Sequence, residues 1–219
     1  MTTITRLLGR AFDLRSRKGV QVMTALIIVG VVVVVLGGLA GLLALYLLRK
    51  WAKQVLNGGG SLLKPVPASE VDDFFATKAS FVVSSERTFN HTPDKVWAAL
   101  NSNGVFSWIP LIDGIRYTSD SRGVGAARLF DGKLVAAAEE VTRWDENQRL
   151  TVQGTRTSVP IVIKSFAEEY VLTPTGSGTT VTWTIAAQPK FGGILPLKLA
   201  APFIRPFMKA GIRGLETRV

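Results

Sequence analysis

The sequence predicts an α+β domain, a curved antiparallel sheet wrapped around a C-terminal helix, preceded by one transmembrane helix. Three observations carry this. Residues 20–48, VQVMTALIIVGVVVVVLGGLAGLLALYLL, hold no charged residue. From residue 79 to about 188 the chain reads as a strand, a short helical region, and then a run of about six strands punctuated by turn residues. The last stretch, 191–219, has helical spacing from about Leu195. A sheet beside one long helix must bury a face against it, and curving the sheet around that helix leaves a cavity between them.

At 1.5 Å per residue the apolar run spans roughly 43 Å as a helix, beyond the ~30 Å hydrocarbon core of a bilayer. A signal peptide has a shorter apolar core and a small-residue cleavage site. No such pattern follows here, so an uncleaved single-pass anchor is expected over 20–48. The arm before it, 1–19, carries Arg6, Arg10, Arg15, Arg17 and Lys18. It is open between an amphipathic turn on the membrane surface and a disordered tail. Arg49, Lys50 and Lys53 follow the span. The basic bias toward the N-terminal side puts the N-terminus in the cytoplasm and the large domain on the extracytoplasmic side. Gly37 and Gly41 form a G-x-x-x-G that lets helices pack closely, although glycine is common in membrane helices without a partner. Residues 49–78 read as a basic juxtamembrane segment and linker, with Asn57-Gly58-Gly59-Gly60-Ser61 as a flexible break before Lys64-Pro65-Val66-Pro67. The folded domain is expected over 79–219.

The domain's elements follow in order. Residues 79–89 alternate, with Phe81, Val83 and Phe89 on one face and Ser84, Glu86 and Thr88 on the other. Thr92-Pro93-Asp94 is a helix start, and the helix runs to about Asn101, burying Val96, Trp97 and Leu100. Residues 105–112, VFSWIPLI, suggest a second apolar helical turn broken by Pro110. Strands follow at 115–119, 125–130 and 133–143, the last two joined by a two-residue turn at Asp131-Gly132. Further strands are expected at 149–157, 161–173 and 179–187, where Val181, Trp183, Ile185 and Ala187 face in. Pro196, Pro202 and Pro206 predict a kinked or broken closing helix.

Charge and composition exclude several chemistries. The net charge is +10, but residues 1–63 carry eight basic residues against Asp13 alone, and the rest carries eighteen basic and fifteen acidic. The excess sits at the membrane flanks, where it meets anionic headgroups, so nucleic acid is not an expected partner. The chain has no cysteine and one histidine, His91. Thiolate chemistry, disulfides, Ser–His catalysis and histidine-rich metal sites lack their residues. No metal, cofactor or catalytic residue is expected.

The remaining candidates are carboxylates, an arginine and aromatics. The turn at Asp131-Gly132 puts Arg128 and Glu139 on one face with Phe130 and Val135. The opposite face, Leu129, Leu134, Ala136 and Ala138, is more uniformly apolar, so which face is inner stays open. Each of the doublets Glu139-Glu140 and Glu168-Glu169 should turn one carboxylate inward. The cavity candidates are Trp108, Ile112, Tyr117, Arg128, Glu139, Tyr170, Trp183, Phe203 and Phe207, with core packing as the competing role for the aromatics.

These motifs together resemble a family. SERTFNHTPDKVWAAL resembles the opening of the START-like, helix-grip superfamily, and the SRPBCC group of polyketide cyclase/dehydrase type is the closer match. Trp108-Ile109-Pro110 is similar to that group's W-x-P. GVGAARLFDGKLVAAAEEVTRWDENQRL resembles its G-x-G-x-x-R strand and following hairpin, GTTVTWTIAAQP its penultimate strand, and FIRPFMKAGIRGLE its closing helix. The resemblance covers about 80–219 and implies a helix-grip fold with an apolar cavity for lipids or other hydrophobic molecules. The matching positions of its Arg and Glu are Arg128 and Glu139. It does not imply one activity. The expected function is non-catalytic binding of a hydrophobic or lipid-like ligand at a membrane. The alternatives are an accessory subunit of a larger membrane complex, packed through Gly37 and Gly41, and a cyclase- or dehydratase-like enzyme.

Overall fold

A computed structural model of the chain describes residues 31–159, 163–190 and 201–219. The basic arm, the start of the apolar run, the stretch 191–200 with Leu195 and Pro196, and the Phe203 side chain lie outside the described residues. The chain divides into two compact units, Met1–Tyr46 and Leu47–Val219.

Helix α1 (Val31–Leu56) is long and apolar enough to cross a membrane, by length and composition. A signal sequence near an N-terminus meets the same description. A Cβ built on Gly37 or Gly41 meets no heavy atom of the chain within 4 Å among the described residues. The helix continues past the predicted end at Leu48, because 49–56 (RKWAKQVL) contains no helix breaker and is mostly good helix formers. It ends where glycine permits a left-handed residue. Gly58 has φ +82°, its N–H donates to the Val55 carbonyl at 3.0 Å, and the Gly59 N–H donates to Gln54 at 2.7 Å. This pair of bonds satisfies carbonyls the helix end would otherwise leave open.

In the second unit the described strands form one antiparallel sheet. These are β1 (Ser61–Leu62), β2 (Phe81–Phe89), β3 (Ile112–Tyr117), β4 (Ala127–Gly132), β5 (Ala137–Asp145), β6 (Arg149–Thr157), β7 (Ile163–Thr175) and β8 (Gly178–Pro189). The order is β2-β8-β7-β6-β5-β4-β3, with β1 paired to β6. Register shifts within the β3–β4, β5–β6 and β7–β8 pairs bend the strands, which is how irregular pairing curves a sheet. Helix α3 (Pro93–Leu100) follows β2, and helix α4 (Ala201–Leu215) lies in the concave face, burying Met208, Ile212 and Leu215 against Phe89, Leu100, Phe106 and Trp183. Two glycines make the closest contacts possible. A Cβ on Gly211 would lie 2.9 Å from the Trp183 ring, and one on Gly214 would lie 1.8 Å from Trp108.

Four expectations need correction. Residues 105–112 are not a helical turn. They are successive four-residue turns closed by i to i+3 backbone bonds, with positive φ at Phe106 and Leu111, and Val105 bridges to Ile115. The reversal sends the Phe106 side chain into the core, 1 % exposed. The β4–β5 turn is not at Asp131-Gly132, because β4 runs through Gly132 and Phe130 pairs with Ala137. Thr92 starts α3 without a side-chain cap to the backbone. Its hydroxyl bonds Asp94 instead, which lowers that carboxyl's pKa. From Ala201 on, the closing helix is one unbroken element through Pro206.

The stretch 57–78, read as linker, is ordered on the sheet's convex face. β1 pairs with β6, the Leu63 N–H donates to the Thr155 carbonyl, and the Val66 N–H donates to Gln153 Oε1 at 2.6 Å. After a 3-10 turn (Ala68–Glu70), helix α2 (Val71–Asp73) and a π turn (Phe74–Lys78) carry Val71 and Phe74 onto Ala167 and Ala186. Asp72 accepts two bonds at 3.1 Å from the Arg143 guanidinium on β5.

Candidate functional site

The β4–β5 hairpin decides the site. Arg128 and Glu139 are directly paired across it. The predicted turn would have paired Arg128 with Val135 instead. The true register differs by four residues, an even number, so the faces did not exchange. Arg128 and Glu139 point into the concave side and are buried. The uniformly apolar opposite face has its own cover, since Ala136 and Ala138 pack against Ala52 and Val55 at the base of α1.

Inside, Arg128 Nε donates to Glu139 Oε2 at 2.5 Å, and Arg128 Nη2 lies 3.8 Å from Glu168 Oε2. Glu168 stands on β7, and its Oε2 accepts from the Tyr170 hydroxyl at 2.9 Å and the Trp183 Nε1–H at 3.3 Å. Alternation in each doublet turns Glu139 and Glu168 in. Glu169 faces out, accepting from the Thr151 hydroxyl and lying 3.9 Å from Arg143. Tyr170 and Trp183, partners on β7 and β8, stack at 5.4 Å, and Phe106 stacks on the other face of Trp183 at 4.8 Å.

Burial sets the protonation. Desolvation, with the neighbouring Glu139 charge, pushes the Glu168 carboxyl up to about 7, against the pull of Arg128 and the two hydrogen bonds. Burial also raises Glu139, opposed by Arg128. Burial works against the Arg128 charge, but Glu139 above all, with Tyr170, Tyr117 and Glu168, holds the guanidinium protonated beyond the ordinary arginine range. The Tyr170 hydroxyl is raised by burial and by Glu168. A carboxyl shifted to neutrality inside a cavity is a common feature of functional sites, and of structural ion-pair clusters too.

Between α4 and the sheet lies a cavity of about 380 Å³, within the range of small-molecule sites. Phe81, Phe130, Phe166, Trp183, Ile185 and Phe207 supply much of its wall, Ile115, Ala187 and Ile204 add to it, and Glu139, Glu168 and Thr157 are its polar lining. Among the predicted cavity residues, Ile112, Glu139, Trp183 and Phe207 line it. Arg128 and Tyr170 stand behind the carboxylates. Trp108 and Tyr117 lie elsewhere: Trp108 donates to the Ala210 carbonyl at 3.1 Å, and the Tyr117 hydroxyl donates to Asn101 under the Arg122 guanidinium. Glu168 was missing from the predicted set, although doublet alternation points to it. Phe106 was also missing, and nothing in the pattern of 105–112 signals its inward turn. Among the described residues no cluster of His, Asp and Glu is placed to hold a metal ion.

The comparisons agree with this architecture. The family model described as "Polyketide cyclase / dehydrase and lipid transport" matches residues 80–219. The chain belongs to this family. No curated protein matches it. Among solved structures, TTHA0849 from Thermus thermophilus is 20% identical, covers 63% of this chain and 96% of its own, and has a TM-score of 0.52. Major latex-like protein 151 from Panax ginseng is 16% identical, covering 64% and 99%, with a TM-score of 0.53. A START superfamily protein from Mycobacterium smegmatis is 14% identical, covering 63% and 96%, with a TM-score of 0.52. At these identities the likeness is one of fold. The matched family region begins at residue 80, so α1 and the convex-face segment 57–78 are outside it.

Proposed function

We propose that this protein is a membrane-anchored, non-catalytic binding protein for a hydrophobic, lipid-like molecule, with its folded domain on the extracytoplasmic side. The observation that carries the reading is the cavity, walled by aromatic and aliphatic side chains and bordered by Ile204 and Phe207 of α4. The family's lipid-transport description and the length and apolarity of α1 support it. A tether raises the domain's local concentration near a lipid source without a new contact. The basic bias before the span supports the orientation.

The test is purification of the full chain in mild detergent at native expression level, followed by mass spectrometry of organic extracts and of co-purifying proteins. One defined hydrophobic species at about one per chain is expected. A stoichiometric set of membrane subunits with an empty cavity would overturn binding in favour of an accessory-subunit role. The chain's lack of cysteine permits a clean orientation test: Ser121→Cys, at an exposed position, should react with an impermeant maleimide added outside intact cells.

A second reading has one observation in its favour. Glu168, held near neutrality beside the Tyr170 hydroxyl, has the protonation behaviour of a general acid–base group. A cyclase- or dehydratase-like enzyme would turn over a polar, hydroxylated substrate and lose that activity in Glu168→Gln. A binding protein would return its ligand unchanged.

A further inference from the structure

The polar end of the cavity has a definite chemistry. Of the three charged groups at this end, Arg128 and Glu139 fully buried and Glu168 partly so, only the two carboxyls line the cavity, and the one cation, Arg128, stands behind them. With both carboxylates ionised, this end carries one negative charge. A ligand carboxylate or phosphate placed there would add a second in a poorly solvated space, where like charges repel strongly. A donor is also unsatisfied. Arg128 Nη2 is buried and has no hydrogen-bond partner among the described residues, and Glu168 Oε2 at 3.8 Å is beyond bonding range. Orphaned buried donors are rare in folded proteins and mark places where a partner is missing.

We propose that the cavity selects a hydrophobic molecule bearing a hydroxyl group, held at the Glu139–Glu168 end, and that it rejects anionic lipids such as fatty acids. This rests on the reading of the cavity as a ligand site. A hydroxyl both donates and accepts. It can give its proton to the Glu139 carboxylate and accept one from Glu168 when that carboxyl is protonated, and both groups line the cavity. An ether or ester oxygen only accepts. The proton balance of Glu168 is consistent with this: a carboxyl that takes up a proton near neutrality leaves the site uncharged.

The test uses the full chain in amphipol at pH 8 and equilibrium dialysis of three radiolabelled probes of matched length: 1-decanol, decanoate and decyl methyl ether. Decanol should bind at least about ten-fold more tightly than each of the others, a difference of about 1.4 kcal/mol. Glu168→Gln, which removes one charge, should narrow the gap between decanol and decanoate. The wild-type series decides the question even if that variant folds poorly. Decanoate or the ether binding as tightly as decanol would overturn the selection and leave hydrophobic binding intact. Retention of none of the three would overturn both.

Discussion

The two faces of the sheet are covered by different means. The concave face is covered by α4, which the family pattern carries, and it keeps a cavity with three ionisable groups at one end, Arg128 and Glu139 buried and Glu168 partly buried. The convex face is covered by residues that precede the matched family region. The base of α1 packs Ala52 and Val55 on Ala136, and the segment 57–78 packs Val66, Val71 and Phe74 on Ala167 and Ala186. The Asp72–Arg143 pair holds that segment to β5, and an open, more polar recess of about 700 Å³, lined by Lys50, Gln54, Gly60 and Ser158 among others, lies beside the α1 base. The concave cavity is walled mostly by apolar side chains with carboxyls at one end, whereas the recess at the α1 base is lined largely by polar and basic residues. Under the proposed reading, the ligand belongs to the concave side.

Four substitutions sharpen that contrast. The largest effect is expected for Arg128→Met. It leaves two buried carboxyls without their cation, and breaking a buried pair from one side costs about 3–5 kcal/mol. The loss should be greater at pH 8 than at pH 5, where protons neutralise the carboxyls, as urea denaturation at both pH values would read. Phe74→Ala, on the convex face, should cost about 3 kcal/mol through the cavity it leaves, while ligand binding per folded molecule stays unchanged. If binding fell in parallel, the two faces would not be independent.

Glu168 makes a signed pH prediction. Its carboxyl is raised to about 7 in the fold from an ordinary value of 4.5, so the folded state holds a proton that the unfolded state has lost. The groups facing it are Arg128 on β4, Glu139 on β5, Tyr170 on its own strand and Trp183 on β8. Stability should therefore fall as pH rises from about 4.5 to 7 and level off above, by something of the order of 2 kcal/mol from this group. Glu168→Gln should flatten that slope in thermal melts across the range. An unchanged slope would place the proton elsewhere. The smallest effect is expected for Val55→Ala at the α1 base, about 1 kcal/mol, with no pH dependence.

Much of the concave face was legible in the sequence, because alternation and turn residues report directly on which side chains are buried. Phe81, Val83, Phe89, Trp183 and Ala187 face inward as the period of two requires. Arg128 and Glu139 share a face despite the misplaced turn, because a register error of four preserves parity. Phe106 was illegible, since a positive φ in a non-glycine residue has no sequence signature. The convex face was read least well. Gly58, Gly59 and Gly60 read as flexibility, yet Gly58 terminates a helix and the chain beyond pairs with β6. The apolar run Leu134, Ala136 and Ala138 competed for the inner face because part of it is buried too, under residues more than eighty positions earlier, a contact with no local signal.

The central claim is that the concave cavity, and not the convex surface, holds a hydrophobic molecule. It is tested most directly by titrating Nile red, an uncharged probe, into the full chain in amphipol, alongside Ala187→Phe and Phe74→Ala. Ala187 lines the cavity and is 4 % exposed, so a phenyl ring there occupies ligand space. One saturable site per chain in the wild type, lost in Ala187→Phe and kept in Phe74→Ala, is the predicted result. Equal binding by a folded Ala187→Phe, or none by the wild type, would contradict it.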